Sequence, residues 1–109
     1  MAVARPYPSG TIAFLFTDIE GSTRLWERDP AAMQSAVDRH LALLRTTVEA
    51  RDGVLFKTVG DAIQAAFSTA PDAVAAALAA QRAILAEDGP AAEPLWARMA
   101  LHVGEAAPA

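Results

Sequence analysis

Phe14-Leu15-Phe16-Thr17-Asp18-Ile19-Glu20-Gly21-Ser22-Thr23 is the stretch on which the fold turns. Residues 11 to 18 read as a β-strand, with Ile12, Phe14 and Phe16 on one face and Ala13 and Leu15 on the other. Apolar residues on both faces predict a central strand. Asp18 closes it, and Gly21-Ser22-Thr23 opens a helical stretch with Leu25 and Trp26 in its first turns. A second segment repeats this setting of an apolar run, an aspartate and a neighbouring glycine. Val54 to Val59 and Ala62 to Phe67 are two short strands around Gly60-Asp61, a hairpin by its turn residues.

The intervening pattern is helical. Asp29-Pro30 reads as an N-cap followed by proline at the first helical position. Val37, Leu41, Leu44 and Val48 then form one apolar stripe, which Asp52-Gly53 stops. A second helix starts at Pro71 or Asp72, with Val74, Leu78, Ile84 and Leu85 expected on its buried side. Asp88-Gly89-Pro90 ends it, and a final strand runs from Leu95 to Val103. There Met99, Leu101 and Val103 alternate with Arg98, Ala100 and His102.

This order, β-α-β-β-α-β, predicts an α+β fold of the ferredoxin-like type: an antiparallel sheet with two helices on one face. Residues 1–10, with Pro6, Pro8 and Gly10, are expected to be a flexible lead-in, and 11–109 a single domain. In this topology the first and third strands lie side by side at the centre of the sheet. The end of one then meets the start of the other, bringing together Asp18 and Asp61 from 43 positions apart.

Composition narrows the function. The chain has 109 residues and no cysteine, so disulfides and thiolate metal sites are excluded. Of its residues 27 are alanine, which favours helix but buries little area. No apolar run approaches the roughly 18 residues of a membrane span, and Met1-Ala2-Val3-Ala4-Arg5-Pro6 lacks a signal-peptide core, so a cytoplasmic protein is expected. A net charge of −4, one lysine and eight scattered arginines argue against nucleic acid as a partner.

Two carboxylates beside glycine suit magnesium, which takes oxygen ligands and usually combines one or two carboxylates with substrate phosphates. Two such ions roughly 3.5–4 Å apart activate an attacking hydroxyl and stabilise a leaving phosphate. Asp18 and Asp61 are the candidate bridging ligands, with the backbone carbonyl of Ile19 as a third. Taken singly, Asp18 also reads as a helix N-cap and Asp61 as a turn residue. Gly21-Ser22-Thr23 offers backbone N–H groups to an anion, or is an ordinary capping segment. Lys57 reaches a phosphate or a purine ring, or is a solvated edge-strand lysine. His40, Trp26 and Trp96 read as structural, and His102 and Glu105 carry no firm role.

Three motifs, Phe16-Thr17-Asp18-Ile19-Glu20-Gly21-Ser22-Thr23, Phe56-Lys57-Thr58-Val59-Gly60-Asp61 and His102-Val103-Gly104-Glu105, resemble the class III adenylyl/guanylyl cyclase catalytic domain of bacterial type. The resemblance spans about residues 11 to 106. It implies that the 3′-hydroxyl of ATP, or less readily GTP, attacks its own α-phosphate to give the cyclic nucleotide and pyrophosphate. It further implies two Mg²⁺ or Mn²⁺ ions on Asp18, Asp61 and the Ile19 carbonyl. Phe16 becomes the aromatic before the first metal aspartate. Residues Glu20, Gly21, Ser22 and Thr23 wrap the triphosphate, Lys57 reads the purine, and Phe16 and Gly60 complete the nucleotide-binding set. Such domains work as homodimers with the site at the interface.

The same resemblance implies a base-reading residue, a ribose-orienting asparagine and a transition-state arginine in a segment later than Ala109. These 109 residues are therefore expected to bind metal and nucleotide without appreciable turnover. The alternative is a non-catalytic, cyclase-like module serving regulation or dimerisation.

Overall fold

The computed structural model describes residues 10–87 and 95–106. The lead-in over residues 1–9, the helix end at Asp88-Gly89-Pro90 and the loop after it lie outside the described residues. Seven elements follow in order: β1 (Gly10–Ile19), α1 (Ser22–Arg28), α2 (Pro30–Glu49), β2 (Val54–Val59), β3 (Ala62–Phe67), α3 (Ala70–Leu85) and β4 (Ala97–Ala106). The strands form one sheet in the order β2-β3-β1-β4, and every neighbouring pair is antiparallel. This is the ferredoxin-like arrangement that the element order predicts.

Local chemistry sets the boundaries. Asp29 caps α2 by accepting the Ala32 N–H at 3.1 Å, and Pro30 occupies the first helical turn, where its missing donor costs nothing. Thr69 caps α3 in the same way, accepting the Asp72 N–H, so that helix starts slightly earlier than its proline suggests. Ala13, Leu15, Ile63, Ala65 and Phe67 on the covered face of the sheet pack with Leu44 and Val48 of α2 and the inner face of α3. A second cluster gathers Ile19, Met33, Ala36, Val37 and Leu95. Among the described residues no helix is long and apolar enough to cross a membrane.

The inner face of α3 differs from expectation. Only Ile84 of the four residues predicted to be buried is so; Val74, Leu78 and Leu85 are about half exposed. Ala73, Ala76 and Ala80 line the contact instead, each at most 1% exposed. Both sets recur at helical spacing, so periodicity alone offers two stripes. The alanine stripe wins because small side chains let α3 approach α2 and a sheet that already supplies the bulk. Ala76→Leu is therefore expected to cost about 1–3 kcal/mol by overpacking, while Leu78→Gln stays within about 0.5 kcal/mol. Urea denaturation of both variants checks this, and equal losses would contradict the assigned packing.

Candidate active site

One face of the sheet is covered by helices; the other carries the site. Direct cross-strand partners share a face, so the register reads out the open side. Lys57 pairs with Gln64, Gln64 with Phe16, and Phe16 with Ala100, forming one row across all four strands. Val59 pairs with Ala62 and Asp18 with Arg98, nearer the end of β1. Thr17 pairs with Ile63, so Asp18 comes level with Ala62, one residue from Asp61. The topology thus brings both candidate carboxylates to one end of the central strand pair.

A bulge decides where Lys57 points. Leu55 pairs with Ala65, but the next register partner, Gln64, belongs to Lys57 and not to Phe56. Two residues of β2 oppose one of β3, as a β-bulge requires. Strict alternation would place Lys57 opposite Ile63, on the helix-covered face; the extra residue returns it to the open one. Phe56 stays on that face too, its ring meeting Phe14 edge-on at 6.3 Å. Phe14 also stacks on Phe16 at 6.1 Å and on His102 at 6.3 Å. Phe16 and Phe56 nevertheless remain 37% exposed.

The turns place the remaining groups. Gly60 takes a φ of +59°, which lets the two-residue turn close and present Asp61 ahead of β3. Gly21 adopts φ +67° at the N-cap of α1 and provides no side-chain cap, so the α1 N-terminus is bounded by backbone alone. The first-turn N–H groups of Ser22 and Thr23 have no acceptor within the helix. Asp18 is a strand residue and caps nothing. The Glu20 N–H donates to the Trp96 carbonyl at 2.8 Å, tying this corner to the approach of β4.

Asp18 holds a cation already. Arg98 donates from Nε to Oδ1 at 2.7 Å and from Nη2 to Oδ2 at 2.8 Å, a two-point grip on both carboxylate oxygens. That contact holds the guanidinium still more firmly protonated than usual. Nothing in the local sequence marks Arg98; its signal lies in the register opposite Asp18, which only the pairing of β1 with β4 creates. Phe16, Asp18, Gln64, Arg98 and Ala100 help to line a cleft of about 290 Å³ at this end of the sheet.

Among the described residues no group of three or more His, Asp or Glu side chains is arranged to hold a metal. The candidate ligands Asp18 and Asp61 supply two carboxylates, a number magnesium accepts when phosphates and water complete its shell. The donor set fits: hard oxygens, one pair of which already binds a positive group.

Behind the site, His40 of α2 is buried at 4% exposure, and its Nε2 has no hydrogen-bond partner. Burial lowers its pKa below the ordinary 6.5, and the nearby Asp61 carboxylate opposes this more weakly. The unfolded chain takes up this proton near pH 6.5, the folded chain only at lower pH. The stability linked to neutral His40 is thus fully present above about pH 6.5 and falls as pH drops below it. His40→Leu is expected to flatten the fall in Tm between pH 7.5 and 5.5, and parallel profiles would contradict it. Glu105 accepts the Thr11 hydroxyl at 2.6 Å and His102 stacks on Phe14, so both have structural partners. Trp26 packs half-buried against the second core cluster, whereas Trp96 is 55% exposed.

Similarity to known proteins identifies the fold and the family. The chain is 43% identical over 83 residues to an adenylate cyclase of Schizosaccharomyces pombe, covering 76% of this chain and 5% of that protein. It is 43% identical over 86 residues to an adenylate cyclase of Podospora anserina, covering 79% of this chain and 4% of that one. Among solved structures it resembles an adenylate cyclase of Trypanosoma brucei in its monomeric state, with a TM-score of 0.80 and 26% identity over 94% of this chain and 60% of that chain. The guanylate cyclase domain of RhGC from Catenaria anguillulae, solved with GTP, shares the fold at a TM-score of 0.79 and 18% identity, over 88% of this chain and 57% of that chain. The chain thus spans about three-fifths of these solved domains and a small fraction of the curated relatives. Residues 4–107 match the family described as the adenylate and guanylate cyclase catalytic domain, to which this chain therefore belongs.

Proposed function

We propose that this chain forms the metal- and triphosphate-binding part of a nucleotidyl cyclase site, acting on ATP in preference to GTP. The observation that carries the reading is the convergence of Asp18 and Asp61 at one end of the β1–β3 pair, with both Asp18 oxygens turned to a cation. In the reaction the ribose 3′-oxygen bonds to the α-phosphorus, the bond to the β-phosphate oxygen breaks, and the hydroxyl proton leaves. Cyclic nucleotide and pyrophosphate result.

Asp18 and Asp61, with the Ile19 carbonyl, would hold two Mg²⁺ or Mn²⁺ ions. When bound, such ions supply charge stabilisation at the phosphates and a more acidic attacking hydroxyl. The chain's own residues orient the substrate. The backbone from Glu20 through Gly21, Ser22 and Thr23 binds phosphate oxygens at a helix start. Phe16 walls the cleft beside Asp18, and Lys57 projects on the open face, where a positive group reaches phosphate or the purine edge. The exposed Phe16, Phe56 and Val59 on this face support a homodimer that covers it. The preference for ATP rests on the two fungal relatives at 43% identity, both adenylate cyclases. The lack of cysteine is compatible with a cytoplasmic setting.

Calorimetric titration with a non-hydrolysable ATP analogue tests the reading. Binding is expected with Mn²⁺ and is expected to vanish when the metal is chelated. Equal affinity with and without metal would overturn it.

A further inference from the structure

Among the described groups, the contact between Arg98 and Asp18 stands apart because it spends a candidate metal ligand on an ion pair. From its geometry we infer that Arg98 is a latch: it occupies Asp18 in the metal-free state and must swing away before a divalent cation can bind there. The inference rests on the metal reading of Asp18.

The two-point grip engages both carboxylate oxygens, at 2.7 and 2.8 Å. A carboxylate offers about four lone-pair sites, and a forked guanidinium takes the two that face it. A divalent cation at Asp18 would compete for the same carboxylate charge, and its double charge would repel a guanidinium at contact distance. The two occupants therefore oppose one another. The latch is built to open: the Arg98 side chain is 65% exposed and Asp18 45%, so the pair is bathed in solvent. Exposed pairs of this kind are weak and screened by salt. Arg98 lies on β4, an edge strand of the sheet.

The latch does three things. It holds the Asp18 side chain in one orientation, and it offsets the carboxylate's charge in the absence of metal. It also sets a threshold, because divalent cation must reach the concentration at which it outcompetes the guanidinium. Among the described residues the Asp18 carboxylate oxygens accept only from Arg98.

Titration of the full chain with Mn²⁺ alone, by calorimetry, tests the latch in the wild type and in Arg98→Gln, Arg98→Lys and Asp18→Asn. Arg98→Gln is expected to bind Mn²⁺ about two- to fivefold more tightly, the range an exposed ion pair spans. Arg98→Lys, which keeps the charge and loses the fork, should fall between. Asp18→Asn should bind at least about tenfold more weakly. Unchanged or weaker binding by Arg98→Gln, with Asp18→Asn impaired, overturns the latch and leaves the metal reading standing. Equal affinity in wild type and Asp18→Asn overturns both.

A second readout does not depend on affinity. The Arg98 Nε–H resonance in nitrogen-edited NMR should move on saturation with Mg²⁺ toward its position in metal-free Asp18→Asn. A resonance unmoved by Mg²⁺ overturns the latch.

Discussion

Asp61→Ala is expected to weaken Mn²⁺-dependent binding of a non-hydrolysable ATP analogue by about a hundredfold or more, and Asp18→Ala to do the same. Metal-borne stabilisation of phosphate charge is worth several kcal/mol, and each tenfold in affinity is about 1.4 kcal/mol. Both aspartates sit at the rim of the sheet and belong to neither core cluster, so the losses should come without unfolding. Thermal melting provides that control, with shifts of only a few degrees expected. Asp61→Asn, which preserves shape and removes charge, should behave like the alanine variant. Near wild-type affinity in both aspartate variants would separate the fold from the proposed metal chemistry. The contrast with Arg98→Gln is informative, since that change near the same carboxylate is expected to act in the opposite direction.

Phe67→Ala should give the largest loss of stability. Its ring is fully buried in the main core cluster, among the last residues of β3. It also lies against the backbone at Gly53, where a Cβ would come within 2.8 Å of the ring. Truncating such a phenylalanine removes transfer free energy and leaves a cavity, about 3–5 kcal/mol together. A domain of this size holds roughly 5–15 kcal/mol in all, so the change consumes a large part of its stability. Phe16→Ala is the matched control. Phe16 lies on the open face at 37% exposure, and its removal is expected to cost about 1 kcal/mol. Chemical denaturation of the two variants measures the difference, and comparable losses would contradict the assigned faces.

Strong local signals were legible in the chain. Alternation in β1 distinguishes its two faces, and Asp29-Pro30 caps α2 where expected. The Gly60-Asp61 turn joins β2 to β3 as its residue types require. Once these elements are in order, the ferredoxin-like topology follows, and with it the approach of Asp18 to Asp61. The buried side of α3 was not legible. Val74, Leu78 and Leu85 form a more hydrophobic stripe than Ala73, Ala76 and Ala80, yet the alanines face inward. Hydropathy measures the gain from burial and says nothing about how closely two elements approach.

By itself the sequence determined the elements, their order and the two acidic turns, because each depends on residues within a few positions of one another. Only the tertiary structure decided what the site residues face. Arg98 grips Asp18 across 80 residues of chain, through a register fixed by the whole length of β1 against β4. The bulge at Phe56 turns Lys57 to the open face, and its position depends on how β2 fits β3. A shift of one residue in either pairing would send these side chains to the opposite face. Long-range register is a property of the assembled sheet, and no single segment encodes it.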